Sequence, residues 1–357
     1  MRVAKKFARK FTLEFASIFL RAQFLQDGQM PPFLGAMLGA VSQGILWGIM
    51  ALGVYITFKI LNFADMTVDG SFALGGCTCA VLIVNGWNPL LTLLVAVVLG
   101  MVAGALTGLL HTKLNIPGIL AGILMQLALY SINLHVLGGP NKPLARTNLT
   151  IVNHISEFFN LKKIAFAQAA TFSTLITGII FTAAIVILLY WYFGTEIGSA
   201  IRATGNNERM GRAQGINTDN MKVLALMISN GLVALSGGLV MQQQRFGDVS
   251  MGIGAIVIGL ASIIIGEVFL GAKFSFGVQL LGVLLGAVIY RMIIALVLQL
   301  GMKSQDMKLF SAIIVAFALS LPVLKKKFIR KKNICAAASE DAYISKKSGN
   351  PDVEVKL

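Results

Sequence analysis

An all-α, polytopic membrane helix bundle is the fold class this sequence predicts, and three observations predict it. The 357 residues are 56% hydrophobic and only 13% charged, and the mean hydropathy of +0.79 lies far outside the soluble average. The apolar residues are gathered into runs of about 20, the length that crosses a bilayer as a helix. Most charged residues fall between those runs rather than inside them.

Residues 1–33 form a basic segment in which Phe7, Phe11, Phe15, Ile18, Phe19 and Ala22 make an amphipathic stripe beside Lys5, Lys6, Arg9 and Lys10. Glu14 and Arg21 interrupt its apolar part, so it does not read as a signal peptide. The transmembrane domain follows over 34–324. Spans are expected at Leu34–Phe58, Thr67–Asn85, Leu90–Leu110, Ile116–Leu137, Phe172–Phe193, Val223–Met241, Ile253–Phe269, Phe276–Leu298 and Leu309–Leu324. That is about nine, within a range of eight to ten, with a discontinuous helix near 61–71. The longest polar excursion, Gly138–Ala170, is too short for an independent enzyme domain. Residues 325–357 read as a basic, disordered cytoplasmic tail.

The net charge of +15 would suit a nucleic-acid partner, but its placement argues against one. Lys325–Lys332 follows directly on the last span, where Lys and Arg mark the cytoplasmic face and attract anionic lipid. Counting back from there puts Gly194–Lys222 inside, together with the turns holding His111, Lys113 and Lys273, and puts Gly138–Ala170 outside. The same count places the basic N-terminus outside, against the positive-inside rule. Three arrangements accommodate this: a surface-lying N-terminal helix, a parity change at an intramembrane break over Asn62–Asp69, or a true start at Met37.

Small residues four apart, as in Gly100/Gly104/Gly108, Gly35/Gly39, Gly44/Gly48 and Gly282/Gly286, predict close helix contacts. Cys77, Cys79, Cys335 and the scattered His111, His135 and His154 form no metal or redox set. Asp65-x-Thr67-x-Asp69-Gly70 imitates the start of a calcium loop, yet Gly76 stands where a bidentate Glu is required. Charge inside a membrane is costly and marks function by default. Asn62, Asp65, Asp69 and Arg291 are therefore candidates for a substrate pathway, with capping or a hinge as the competing role for the break. Glu267 reads as an interfacial residue or a local ion pair near Lys273. Gln43, Gln126 and Asn230 suit interhelical hydrogen bonds.

No catalytic motif appears. The nearest approach to a nucleotide loop is Gly266–Lys273, but Ala272 stands where the Gly-Lys pair requires Lys, and Phe274 follows Lys273 where Ser or Thr would be needed next. Energy must come from outside the chain or from an ion gradient. The gradient reading makes the chain a secondary transporter using Asp65, Asp69, Glu267 and Arg291.

Three stretches carry a family resemblance: Gly44–Phe58 followed by Asn62-Phe63-Ala64; Gly198…Ala203-Thr-Gly205-Asn-Asn207…Gly215-Ile-Asn217; and Gly231–Leu239 continuing to Val257–Gly266. In order and separation they resemble the permease subunits of ABC importers of the branched-chain amino acid and ribose type, over about Leu34–Leu324. The resemblance implies a multi-pass protein of a prokaryotic cytoplasmic membrane that performs no covalent chemistry. It would import a small solute by alternating access as a homodimer, with cytoplasmic ATPase subunits that bind the ATP and an extracytoplasmic substrate-binding protein. It also implies that Arg202, Ala203, Thr204, Gly205, Asn206 and Asn207 contact the ATPase, with Gly215 and Asn217 turning the chain into the next span. Gly205 would serve a tight turn, and Asn206 and Asn207 would cap. Branched-chain permeases follow Asn-Phe-Ala with His-Gly. Here Asp65-Met66 and then Thr67-Val-Asp-Gly-Ser-Phe72 follow, similar to a subgroup linked to aromatic amino acids.

Overall fold

The computed structural model describes residues 32–145, 148–158, 166–270, 275–300, 309–316 and residue 320. Helix α1 (Pro32–Tyr55) passes into a π-turn at Ile56–Ile60. Helices α2 (Thr67–Val84), α3 (Pro89–Thr112) and α4 (Gly118–Leu137) follow. Strand β1 (Asn141–Pro143) and helix α5 (Ile151–Phe158) precede α6 (Phe166–Tyr192). The polar block holds α7 (Glu196–Asn206) and α8 (Glu208–Ala213). Then come α9 (Thr218–Gln244), β2 (Phe246–Asp248), α10 (Ala255–Leu270) and α11 (Phe276–Gln299).

Among the described residues, seven helices are long and apolar enough to cross a membrane, and α10 is a shorter apolar helix of 16 residues. The bundle is all-α apart from one antiparallel pair, β1 with β2, joining Asn141 to Asp248 and Pro143 to Phe246. Of the expected Leu309–Leu324 span, 309–316 and residue 320 are helical. The rest of that span, the N-terminal stripe, Lys273 and the basic tail lie outside the described residues.

Local chemistry explains several boundaries. Asn88 accepts from Leu90 N at 2.9 Å and Pro89 occupies the first turn of α3, the pairing that starts helices well. Gly138 (φ 71°) closes α4 in the left-handed conformation.

Helix α9 is central and packs on α1, α2 and α3. Ser236 Oγ donates to the Leu46 carbonyl and Ser229 Oγ to the Gly53 carbonyl, both at 2.7 Å, so α1 runs antiparallel to α9. Gly100, Gly104 and Gly108 bring the α3 backbone against Ala234, Leu226 and Val223, also antiparallel. Such close approach needs small residues, because lipid offers no hydrophobic drive to squeeze bulkier helices together. Gly35 and Gly39 of the same spacing class meet nothing within 4 Å.

Helix α2 runs parallel to α9, with Ser71 beside Asn230 and Gly75 beside Ala234. Its first residue, Thr67, is therefore level with Leu226, eight residues or about 12 Å along α9 from Thr218. Yet α1 ends against the polar block. Residues 61–66 thus climb back from that end of the bundle to mid-depth as non-helical chain. The discontinuous helix is real, but α1 and α2 keep opposite directions, so the break does not change parity. Pro32 lies at the end of the bundle opposite the block.

Candidate functional site

Three polar caps shape the 194–222 block. Thr195 Oγ1 accepts from Gly198 N at 3.4 Å to start α7, and Asn207 Oδ1 accepts from Met210 N at 3.1 Å to start α8. Asn217 Oδ1 accepts from Asn220 N at 3.1 Å to start α9. Gly215 (φ 84°) supplies the left-handed residue that turns α8 toward α9. Asn206 is the last residue of α7 and caps nothing among the described contacts.

The candidate contact residues divide between two faces. Thr204 is buried with Ile201 and Gly198 on the bundle side. Gly205 is helical rather than at a turn; a Cβ there would overlap the Ile60 carbonyl oxygen and crowd Leu61 Cα. Its role is close approach of α7 to the π-turn. Arg202 donates to the Phe193 carbonyl and places its guanidinium 4.9 Å from the Phe276 ring centroid, which holds α7 to α11. Ala203 is half-buried, while Asn206, Asn207 and Arg209 are exposed. Ile197 and Met210 project outward, 48% and 58% exposed.

An ion network fixes α8 to the start of α9. Arg212 reaches Glu208 and Asp219, each at 2.9 Å, and Lys222 reaches Glu208 at 2.8 Å. Arg212 Nε also donates to Thr218 Oγ1 at 2.8 Å. Lys222 above all, with Arg212, holds the Glu208 carboxyl below its ordinary pKa. The two Arg212 pairs are exposed, so they set orientation more than they add stability.

The break contains the second group of candidates. Asn62 (φ 55°) is exposed and takes the left-handed turn out of the π-turn, a conformation Asn tolerates. Asp65 is 2% exposed. Its Oδ1 accepts from Thr67 N at 2.9 Å and its Oδ2 accepts from Asn230 Nδ2 at 2.7 Å. Asn230 Oδ1 in turn accepts from Ser71 Oγ at 2.7 Å, and Thr67 Oγ1 meets Thr107 Oγ1 at 2.8 Å. This buried chain ties the start of α2 to α9 and α3. Asp69 is used otherwise: its two oxygens accept from Gly254 N at 3.0 Å and Ile256 N at 2.9 Å, so it caps α10 from across the fold.

Glu267 pairs with Lys59 of the π-turn at 2.5 Å, and beside it Tyr55 Oη donates to Gln279 Oε1 at 2.7 Å. Arg291 stacks its guanidinium 4.0 Å from the Trp47 ring centroid, and its Nε is buried with no hydrogen-bond partner. Asp65, Asp69, Glu267 and Arg291 thus occupy four separate settings, with different partners on different helices. Among the described residues no three His, Cys, Asp or Glu side chains gather as a metal site.

Sequence reading placed the break and the block but missed Lys59, Trp47 and the outward pair Ile197 and Met210. An exposed Met and Ile on a polar helix were the available signal for the last two; the others depend on contacts between distant segments.

The protein family described as branched-chain amino acid transport system, permease component, matches residues 36–319. The chain is 39% identical to a tyrosine transport system permease protein of Clostridioides difficile, over 79% of this chain and 90% of that one. It is 25% identical to the ribose import permease protein RbsC of Escherichia coli, over 76% and 80%. It is 28% identical to the inner membrane ABC transporter permease protein YjfF of the same species, over 69% and 70%.

Proposed function

The chain belongs to the permease-component family of branched-chain amino acid transport systems, and from that premise we propose that the solute it carries is an amino acid, an aromatic one in particular. It is the membrane-spanning permease subunit of an ABC importer, a multi-pass protein of a prokaryotic inner membrane, working with ATPase and binding-protein partners. The amino acid assignment draws support from the tyrosine-system relative and from the Thr67–Phe72 stretch. In the working importer two copies of this chain pair, each offering one polar block to one ATPase subunit.

The observation that carries the coupling role is the two-sided build of α7 and α8. Ile201, Thr204 and Gly205 fasten the block to the bundle, and Ile197, Asn206, Asn207, Arg209 and Met210 are left facing outward. A rigid element gripped on one face and open on the other can pass a partner's displacement into the helices behind it. Behind Gly205 lies the π-turn, and behind the α8 ion pairs lies the start of α9. Those two elements hold the two ends of the 61–66 break.

The test is uptake of labelled tyrosine by vesicles containing this chain with the ATPase and binding protein encoded beside it. Uptake should require ATP inside, the binding protein outside and an intact block. Tyrosine accumulation driven by a proton or sodium gradient with no ATPase subunit present would sink the importer reading. ATP-driven uptake of a sugar alone would sink the amino acid.

A further inference from the structure

Arg291 has no role in the coupling geometry above. It lies on α11 where that helix crosses the far half of α1, since Val288 meets Gly44 and Leu284 meets Gly48. Along α1 this is about twelve residues, or roughly 18 Å, from the level of Gly53 and Asn230 toward the end opposite the block. Among the described residues Arg291 makes no salt bridge and no hydrogen bond. Its planar face rests on Trp47 and its Nε is buried unpaired. An uncompensated guanidinium inside a membrane bundle is costly, and stacking on one ring offsets only part of that cost.

A cavity of about 260 Å³ opens at this point. Arg291 and Gln43 are its polar walls, Gly39, Ala40 and Ala295 leave it room, and Ile294 adds an apolar surface. A cavity of about 150 Å³ admits benzene, so this one has space for an aromatic amino acid. The guanidinium is a fork of donors without an acceptor, and a carboxylate is the group that matches it in two parallel bonds. Gln43 adds an amide that can donate to the same carboxylate or accept from an ammonium group. Trp47 beneath the guanidinium holds the fork flat.

We propose that Arg291, with Gln43 and Trp47, forms a carboxylate-recognition site in the half of the bundle away from the ATPase, which a carboxylate-bearing solute meets before it reaches the 61–66 break. This deepens the amino acid reading and rests on it for the identity of the solute. The chemistry alone would also suit a phosphate from a lipid headgroup, so the experiment separates the two.

Two readouts are needed. In the full complex in vesicles, Arg291→Gln should lower tyrosine uptake about tenfold to a hundredfold, the loss of one charge-assisted contact. Thermal unfolding should not be lowered, since Gln removes an uncompensated buried charge, and uptake by Arg291→Lys should fall between, keeping charge but not the fork. Independently, the full chain carrying Trp87→Phe and Trp191→Phe, both at exposed positions, leaves Trp47 as the sole tryptophan. Its fluorescence, excited beyond tyrosine absorption, should change saturably with L-tyrosine and not with tyramine, which lacks the carboxylate. Equal responses to tyrosine and tyramine would overturn the site. So would a response to inorganic phosphate or anionic-lipid vesicles but not to tyrosine. A tyrosine response lost in Arg291→Gln, with no ATP-driven amino acid uptake, keeps the site and removes the importer reading. Unchanged uptake in Arg291→Gln with a silent Trp47 removes the site and keeps that reading.

Discussion

Exchanging Asp65 and Asn230 tests whether the start of α2 is held at mid-depth by a single buried hydrogen-bonded pair. Both Asp65 oxygens act as acceptors, one from Thr67 N and one from Asn230 Nδ2. Asp65→Asn can keep only the first, and it turns an amide NH2 toward the NH2 of Asn230. Asn230 cannot simply flip, because its oxygen accepts from Ser71 and its nitrogen also donates to the Leu226 carbonyl at 3.0 Å. Losing a hydrogen bond to a charged group and burying an unpaired donor costs about 2–3 kcal/mol. Asn230→Asp should cost a similar amount, since it sets carboxylate oxygens against one another and abandons Leu226. In the double variant the amide at 65 again faces a carboxylate at 230, which still accepts from Ser71.

Hydrogen bonds between membrane helices average only about 0.6 kcal/mol in double-mutant cycles and reach about 1.7 kcal/mol. This pair is dry and charge-assisted, so it belongs at the upper end. The double variant should be more stable than the sum of the two single losses by about 1.5 kcal/mol or more. Unfolding midpoints in a detergent–SDS titration measure the four corners of the cycle, with vesicle uptake as the parallel readout. Additive losses, or a neutral Asp65→Asn, would refute the claim that this pair sets the position of α2.

Gly205→Ala should push α7 off the Ile60 carbonyl and lower ATP-driven uptake more than tenfold, while a melting curve in detergent shifts by the modest overpacking cost of about 1–3 kcal/mol. Wild-type uptake would mean that the close approach is not used in coupling. Ile197→Asp with Met210→Asp should leave the purified permease folded but abolish copurification of the ATPase subunit; retained assembly would move the docking surface elsewhere. Glu208 gives a pH test whose sign follows from its lowered pKa. The contribution of its ion pairs is fully present above the ordinary carboxylate range and is lost as pH falls through the lower folded value. Hydrogen exchange in 208–213 should quicken only there, and Glu208→Gln should exchange at the faster rate across the whole pH range.

What the residue order made legible was whatever depended on local composition. Apolar runs gave the seven long described helices to within about six residues at each end, and the polar interruption expected near 61–71 contains the observed break, with α2 starting at the expected Thr67. The cap at Asn207 was readable because Asn before a helix has a local mechanism, whereas Asn206, expected to cap, ends α7, and Asn217, expected only to turn the chain, caps α9. Gly205 shows the limit: a glycine in a polar block reads as a turn, yet it sits within α7 because another backbone lies against it. Close approach and positive φ both demand glycine, and sequence does not separate them. Asp69 is a similar case, since the Ile256 N–H it accepts from, in the first turn of α10, lies 187 residues later. The β1–β2 pair was invisible because each strand is only three residues long.

The break and the block are mechanically one problem. Residues 61–66 are anchored at one end by Ile60, which lies on Gly205 of α7, and at the other by Asp65, which is bonded to Asn230 of α9. Helix α9 begins at the ion pairs that hold α8. A displacement of the block therefore reaches both ends of the break, along α7 to the π-turn and along α9 to Asn230. The two routes differ in stiffness. The α9 route is a continuous helix with its hydrogen bonds intact, whereas the α1 route passes through a π-turn, the helical form whose strain often marks functional positions. Any difference between the two displacements falls on 61–66, because non-helical chain beyond the last bonds to the π-turn, Leu61 N to Ile56 O and Phe63 N to Thr57 O, can change length where a helix cannot. Lys59, on the π-turn, carries the Glu267 ion pair, so the same strain is also passed to α10. Helix α10 is in turn capped by Asp69 at the beginning of α2. The path closes on itself, and a break in the helix at this position is what allows that loop of contacts to shift without unfolding a span.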